Sequence, residues 1–187
     1  MADPDVYSLP DGLPIPEDDG ACDGLEGRPL PDLELPATTG EPANLGTIGS
    51  EGTAVLFIYP RTGRPGEPLP PGWDLIPGAR GCTPQSCAFR DLHGELAALG
   101  VPVFGLSAQS PDDQLEFAER VHLPFAVLSD PQLELAGALG LPTFEVAGMR
   151  LYNRVTLVVR DGAIAKVFYP VFPPDRNAAQ VLAWLAA

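Results

Sequence analysis

Residues 81–91 read Gly-Cys-Thr-Pro-Gln-Ser-Cys-Ala-Phe-Arg-Asp and stand between an apolar, strand-like run and an amphipathic helical pattern. Cys82 falls at the predicted start of the helix, where the helix dipole and unpaired backbone N–H groups favour a reactive thiolate. Cys87 follows five residues later, which in a helix separates the two Cα atoms by about 8.6 Å. That distance exceeds the limit of roughly 7 Å for a disulfide. A bond between the two cysteines therefore requires the first helical turn to unwind. The alternative is a pair of ordinary buried thiols.

Length and charge limit the class of protein. The chain has 187 residues, of which 45% are hydrophobic, enough for the core of one domain. Its net charge is −14, and residues 1–27 hold eight carboxylates and no Lys or Arg. The absence of Lys and Arg clusters argues against binding to nucleic acid or an anionic membrane. No apolar run is long enough to cross a bilayer and no signal sequence is recognisable, so we expect a cytoplasmic protein.

Residues 1–27 form an acidic, proline-rich leader, which we expect to be extended or disordered. The alternative is that the leader wraps the domain or a partner. Cys22 lies in this leader and is expected to be a spare thiol, or a second resolving group if the leader folds back. A domain of residues 28–187 follows.

Strand and helix patterns alternate after the leader. Residues 61–81 hold five Pro and five Gly, which predicts one long inserted loop. This loop contains Trp73 and directly precedes Cys82, so it either lies beside the reactive cysteine or is a surface excursion with Trp73 packed on the domain. The predicted strands are 32–35 and 44–48 as an opening hairpin, 53–59, 101–107, 125–128, 155–159 and 164–168, and the predicted helices are 82–99, 111–121, 132–139 and 177–185. This order indicates an α/β fold of thioredoxin-like type, with a mixed central sheet, helices on both faces and an N-terminal hairpin extension.

The element order and the cysteine segment together resemble the peroxiredoxins, specifically the Q-type, bacterioferritin-comigratory branch. The motif of that branch, Gly-Cys-Thr-x-Glu-x-Cys-x-Phe-Arg-Asp, is matched at residues 81–91 with Gln85 in the place of Glu. Three further stretches, 104–107, 123–131 and 153–157, support the resemblance in the expected order. The likeness covers most of residues 28–187.

The resemblance implies a thiol-dependent peroxidase that reduces hydrogen peroxide and organic hydroperoxides. It makes Cys82 the peroxidatic cysteine, Cys87 the resolving one, and Arg154 the arginine that stabilises the thiolate and the peroxide. Oxidation would pass through a sulfenic acid on Cys82 to a Cys82–Cys87 disulfide. The resemblance further implies a thioredoxin or a similar dithiol protein as reductant, no cofactor, no metal and a monomer.

The sequence departs from the family pattern before Cys82. Pro60 matches the proline of the Pro-x-x-x-Thr-x-x-Cys signature, but the long loop follows it, and Ala79 stands where the threonine is expected. Thr62 is the hydroxyl that could return to the site, so Pro60 and Thr62 are the candidate substrate-binding residues.

Two other functions remain open from the residues alone. A thioredoxin-fold thiol–disulfide oxidoreductase without peroxidase activity would normally carry Cys-x-x-Cys rather than the present spacing. A metal-binding redoxin would need more ligands, since the chain has two histidines, His93 and His122.

Overall fold

The computed structural model describes residues 5–187. The bounds of the strands are β1 Glu34–Leu35, β2 Ala43–Asn44, β3 Thr53–Ile58, β4 Val103–Ser107, β5 Val127–Ser129, β6 Thr143–Val146, β7 Met149–Tyr152, β8 Val155–Arg160 and β9 Ala163–Phe168. The bounds of the helices are α1 Cys82–Asp91, α2 His93–Ala98, α3 Pro111–Arg120, α4 Glu134–Leu139 and α5 Asn177–Ala186.

The central sheet has five strands in the order β5-β4-β3-β8-β9. Strands β3, β4 and β5 run parallel, whereas β8 pairs antiparallel with β3, and β9 antiparallel with β8. The sheet is therefore mixed, as the sequence predicts. The opening hairpin is also present, as the small sheet of β1 and β2.

Alternation along β3 divides the core into two layers, because successive side chains of a strand point to opposite faces. Val55, Phe57 and Tyr59 pack in one layer, to which α1, α2, α3 and α5 contribute. Leu56 and Ile58 pack in the other layer, against α4 and the end of the leader. Phe57 stacks on Phe89 of α1 with ring centroids 4.5 Å apart, which fixes the helix that carries both motif cysteines against the sheet.

Local sequence signals account for several boundaries. Ser110 caps α3 by accepting a hydrogen bond from the backbone N–H of Asp113, and Pro111 occupies the first helical position. Asp161 and Gly162 both have positive φ between β8 and β9, as the predicted hairpin turn requires.

Three parts of the fold differ from the sequence-based prediction. The predicted strand over residues 44–48 ends at Asn44, and Leu45–Thr47 form a 3-10 helix. The single helix expected over residues 82–99 is two helices, which meet at Leu92. The hairpin of β6 and β7 was not predicted, although Ala147 and Gly148 between two alternating runs gave a usable turn signal. All three errors arise because short local patterns do not determine where an element ends or continues.

The leader is not a free tail over residues 5–27. Val6, Cys22 and Leu25 are buried, and the backbone N–H of Gly27 donates to the carbonyl of Ile164 in β9 at 2.7 Å. Residues 5–27 hold no helix or strand and consist of turns and irregular backbone that packs on the domain, in line with the alternative that the leader wraps the domain. The first four residues of the predicted leader lie outside the described residues.

No helix within residues 5–187 is both long enough and apolar enough to cross a membrane.

Candidate active site

Cys82 is the first residue of α1, and its side chain is only 3% exposed. Gly81 precedes it with φ of 105°, a conformation that favours glycine. A Cβ at Gly81 would also lie 2.4 Å from Cγ of Pro174, so close packing excludes a side chain there. The turn at Gly81 thus places the sulfur at the N-terminus of α1, where the helix dipole favours negative charge.

Arg154 approaches the sulfur from the residue just before β8. Its Nη2 lies 3.2 Å from Sγ of Cys82 and also donates to the carbonyls of Gly78, Ala79 and Arg80 at 3.1 to 3.2 Å. Arg154 as a whole is 3% exposed. No carboxylate is among its hydrogen-bond partners in residues 5–187, so the Cys82 thiolate is the group that would neutralise this buried charge.

Gln85 supports Arg154 from one turn further along α1. Its Oε1 accepts from Nη1 of Arg154 at 2.5 Å, and its Nε2 donates to Oδ1 of Asn177 at 2.9 Å. The hydroxyl of Thr156 donates to the same Asn177 oxygen at 2.8 Å. Gln85 is fully buried and therefore joins α1, β8 and α5 around the guanidinium. Sequence reasoning noted Gln85 in the motif but gave it no role in the site.

Tyr59 lies in the same core layer as Cys82 and was also missed. Its hydroxyl donates to Oε1 of Gln114 at 2.8 Å. Burial raises the pKa of Tyr59, and the charge of the nearby Cys82 raises it further. Tyr59 therefore stays a neutral hydroxyl beside the sulfur. The only sequence signal was its position at the end of an apolar strand.

Cys87 lies on α1 and is half-buried. Burial raises the pKa of its thiol above the ordinary value, so Cys87 is protonated at neutral pH. Cys82, Cys87 and Cys22 are all free thiols. Because one continuous helix holds Cys82 and Cys87, their Cα atoms stand about 8.6 Å apart, and the unwinding predicted from the spacing applies to this structure.

A family model described as redoxin matches residues 25–182. The chain belongs to the redoxin family. Its match begins within the leader, in agreement with the burial of Leu25 in the core of the domain.

Relatives of this redoxin include several peroxiredoxins. Peroxiredoxin Bcp of Bacillus subtilis is 30% identical over 156 residues, which are 81% of this chain and 89% of the relative. The crystal structure of peroxidoxin BcpB from Mycobacterium tuberculosis aligns with a TM-score of 0.67 and 31% identity, covering 86% of this chain and 96% of that one. A peroxiredoxin Q structure from Xanthomonas campestris shares the fold, with a TM-score of 0.63 at 21% identity over 94% of this chain and 96% of its own.

These likenesses confirm the predicted thioredoxin-like fold and the resemblance to the Bcp and Q-type peroxiredoxins. The redoxin is a thiol-dependent peroxidase of the two-cysteine type.

The candidate substrate-binding residues Pro60 and Thr62 are both buried, after the end of β3. The backbone N–H and the hydroxyl of Thr62 both donate to Oε1 of Gln109, at 2.8 and 3.2 Å. No hydrogen bond joins Thr62 to Cys82 among the described residues, so this hydroxyl is not a hydrogen-bond partner of the sulfur in this structure. Sγ of Cys82 instead donates a hydrogen bond to the carbonyl of Ala79, at 3.7 Å.

Cys22 belongs to the opposite core layer from Cys82. Burial, with added repulsion from Asp19, Asp18 and Asp23, raises the pKa of Cys22 to about 12. The central sheet separates the two layers, which does not favour a resolving role for this thiol.

The inserted loop combines the two alternatives left open by the sequence. Trp73, in a short 3-10 turn of the loop, is 3% exposed and packs against Leu151 of β7. Trp73 also lines a small, partly open cavity beside Cys82, here named the opening, together with Arg61 and Leu69. The loop is packed on the domain and forms a wall of the active site.

Within residues 5–187, no group of three or more His, Cys, Asp and Glu side chains is placed to hold a metal ion.

Proposed function

We propose that this redoxin reduces hydrogen peroxide and organic hydroperoxides at Cys82, resolves the product with Cys87 and is recycled by a thioredoxin-like dithiol protein. One observation carries the proposal: Nη2 of Arg154 lies 3.2 Å from Sγ of Cys82 at a helix N-terminus, with no carboxylate bonded to the guanidinium among the described residues. This arrangement supports a nucleophilic thiolate at Cys82. It also supports Arg154 as the hydrogen-bond donor to the peroxide oxygen that becomes negative as the O–O bond breaks.

The first step is attack of the Cys82 thiolate on the terminal peroxide oxygen. The S–O bond forms as the O–O bond breaks, sulfur is oxidised, and the leaving oxygen takes a proton to become water or an alcohol. Arg154 donates fixed hydrogen bonds and positive charge near the reacting oxygens, which stabilises the charge that develops as the bond breaks. Gln85 positions Arg154 for this role through the hydrogen bond to Nη1.

The second step joins the two cysteines. The thiol of Cys87 attacks the sulfenic acid of Cys82, the S–S bond forms, and the hydroxyl leaves as water with the thiol proton. The start of α1 unwinds to bring the sulfurs together. Unwinding breaks the hydrogen bonds from Gln85 N–H to the carbonyl of Gly81 and from the Ser86 hydroxyl to the carbonyl of Cys82.

The third step restores both thiols. A dithiol protein attacks the Cys82–Cys87 disulfide, passes through a mixed disulfide and leaves oxidised. Such dithiols are kept reduced in a reducing compartment, which fits the proposed cytoplasmic location. All catalytic side chains come from one chain, so the cycle is complete in a monomer.

Mapping of the oxidised cysteines tests this cycle. Reduced protein is treated with one equivalent of hydrogen peroxide, and intact mass and peptide mapping follow. We expect a Cys82–Cys87 linkage with the loss of two hydrogens. Cys87→Ser should be oxidised at Cys82 and then fail to be recycled by thioredoxin, whereas Cys82→Ser should consume no peroxide. Turnover in the Cys82→Ser variant would overturn the assignment, and a link through Cys22 would reassign the resolving residue.

A further inference from the structure

A short leader segment forms one side of the opening beside Cys82. Residues 5–9, here named the leader strap, contact both the inserted loop and the start of α1. Val6 of the strap is 6% exposed and lines the opening with Leu69 and Trp73. The opening is thus closed on one side by a segment that precedes the residues matched by the family model.

Two arginines hold the leader strap in place. Nη2 of Arg80 donates to the backbone carbonyl of Asp5 at 2.7 Å, while Nη1 binds Asp74 of the inserted loop at 2.9 Å. Nη1 of Arg120 donates to the hydroxyl of Tyr7 at 3.0 Å. Each side of Val6 is therefore tied to the domain by a hydrogen bond from a positively charged group.

Two glycines let the leader strap lie close to the wall of the opening. A Cβ at Gly63 would be 3.0 Å from Cγ1 of Val6, and a Cβ at Gly81 would be 2.7 Å from Cδ2 of Leu9. Real side chains at these positions would push the strap outward. The leader strap therefore packs directly against Gly63 and Gly81, and the space between them is too small for an added side chain.

We propose that Val6 is a specificity-determining residue, which admits hydrogen peroxide and other small hydroperoxides to Cys82 and excludes those with bulky organic groups. This inference rests on the proposed function. Attack on the terminal oxygen requires the rest of the peroxide to extend away from the sulfur, toward the opening. The Val6 side chain occupies the space that a large organic group would need, whereas the hydrogen of hydrogen peroxide needs almost none.

Substrate-size selectivity in full-length variants tests the role of Val6. Reduced wild-type protein, Val6→Ala and the matched control Ile15→Ala are mixed with hydrogen peroxide or with cumene hydroperoxide. Ile15 is a leader residue that is 69% exposed, so its truncation leaves the opening unchanged. Stopped-flow tryptophan fluorescence follows the reaction, and mass spectrometry confirms oxidation at Cys82. The quantity measured is the ratio of the two second-order rate constants.

Val6→Ala should raise the rate constant for cumene hydroperoxide relative to that for hydrogen peroxide by about tenfold, because a wider apolar pocket accepts a larger group. Ile15→Ala should leave the ratio unchanged. Tyr7→Phe, which loses the acceptor for Arg120 at a half-exposed side chain, should shift the ratio in the same direction by loosening the strap.

An unchanged ratio in both Val6→Ala and Tyr7→Phe, with wild-type reactivity toward hydrogen peroxide, would overturn the selectivity role and leave the peroxidase intact. A shift of equal size in Ile15→Ala would also overturn it. Failure of every protein, wild type included, to be oxidised at Cys82 would instead refute the proposed function.

Discussion

Arg154 brings a buried positive charge to Cys82, and each of its other hydrogen-bond acceptors is a neutral oxygen. A buried charge without an opposite charge is costly, and a thiolate at Cys82 would supply that opposite charge. The replacement of Glu by Gln85 matters for this reason, since a carboxylate in the same place would compete with the sulfur for the guanidinium. The amide at residue 85 orients Arg154 without neutralising it.

Replacement of Arg154 by lysine tests the need for the planar guanidinium. One ammonium group cannot contact Cys82, Gln85 and three carbonyls together, so we expect the rate of Cys82 oxidation by hydrogen peroxide to fall about 10²-fold. Arg160→Lys is the matched control, because Arg160 is an exposed arginine at the far end of β8. Stopped-flow oxidation measures both variants. A wild-type rate in Arg154→Lys would contradict the role of Arg154.

Cys22 gives a second prediction at the level of the residue, on stability at alkaline pH. Burial raises its pKa from an ordinary 9.0 to about 12 in the folded protein. Below pH 9 the thiol keeps its proton in both states. Between pH 9 and 12 the unfolded chain binds fewer protons than the folded one, so the free energy of unfolding contributed by Cys22 falls as pH rises.

Urea unfolding of reduced wild type and Cys22→Ala, at about pH 8 and about pH 10.5, measures this effect. The stability advantage of wild type over the variant should shrink at the higher pH. Equal advantages at both values would show that the folded protein does not hold the Cys22 proton. Comparison with Cys22→Ala isolates this thiol from Tyr59 and Tyr152, whose raised pKa values act in the same direction.

At the level of the element, the proposed cycle requires α1 to adopt two incompatible geometries. In the reduced protein it is helical from Cys82 to Asp91, and Gln85, Ser86 and Phe89 are buried in it. The disulfide requires its start to open, because the helical separation of about 8.6 Å exceeds the roughly 7 Å that a disulfide spans. Pro84 eases this opening, since a proline has no N–H to lose in the first turn.

Hydrogen exchange should detect the opening of α1. After oxidation with one equivalent of hydrogen peroxide, amides of residues 82–88 should exchange faster than in the reduced protein, while those of α3 stay unchanged. Cys87→Ser is the matched control, since it is oxidised without forming the Cys82–Cys87 bond and should keep its protection. Unchanged exchange in wild type that mass spectrometry shows to be fully disulfide-bonded would contradict the unwinding.

At the scale of the whole molecule, residues 5–27 of the leader pack against the rest of the chain. Leu25 is 2% exposed and packs in the core layer that also holds Leu56 and Ile58. Composition alone pointed to disorder because residues 1–27 are acidic and rich in proline. Burial of a few widely spaced apolar side chains holds this segment against the domain, although its overall composition is typical of disorder.

Leu25→Ala should therefore lower the free energy of unfolding by about 2–5 kcal/mol, the cost of a cavity in a packed core. Ile15→Ala, in the same leader but exposed, should change it by less than about 0.5 kcal/mol. Chemical denaturation monitored by tryptophan fluorescence gives both values. Equal and small effects would show that the leader does not contribute to the core in solution.

The sequence by itself determined the thioredoxin-like order of strands and helices, and the resemblance it carries predicts Cys82, Cys87 and Arg154 as the site residues. The signals are local: periodicity, turn residues such as Asp161-Gly162, a motif of eleven adjacent residues for the two cysteines and the separate stretch 153–157 for Arg154 are all read along the chain. The placement of Cys82 at a helix start also followed from local signals.

Only the tertiary structure decided what surrounds the sulfur. Arg154 contacts Gln85 and the carbonyl of Ala79, which lie 69 and 75 positions away along the chain. Val6, from the leader, lines the opening beside Cys82. Thr62 shows the same limit, because spacing alone suggested a return to the site while the fold directs its hydroxyl to Gln109. Such contacts depend on how separate elements pack against each other, and a local sequence pattern does not specify that packing.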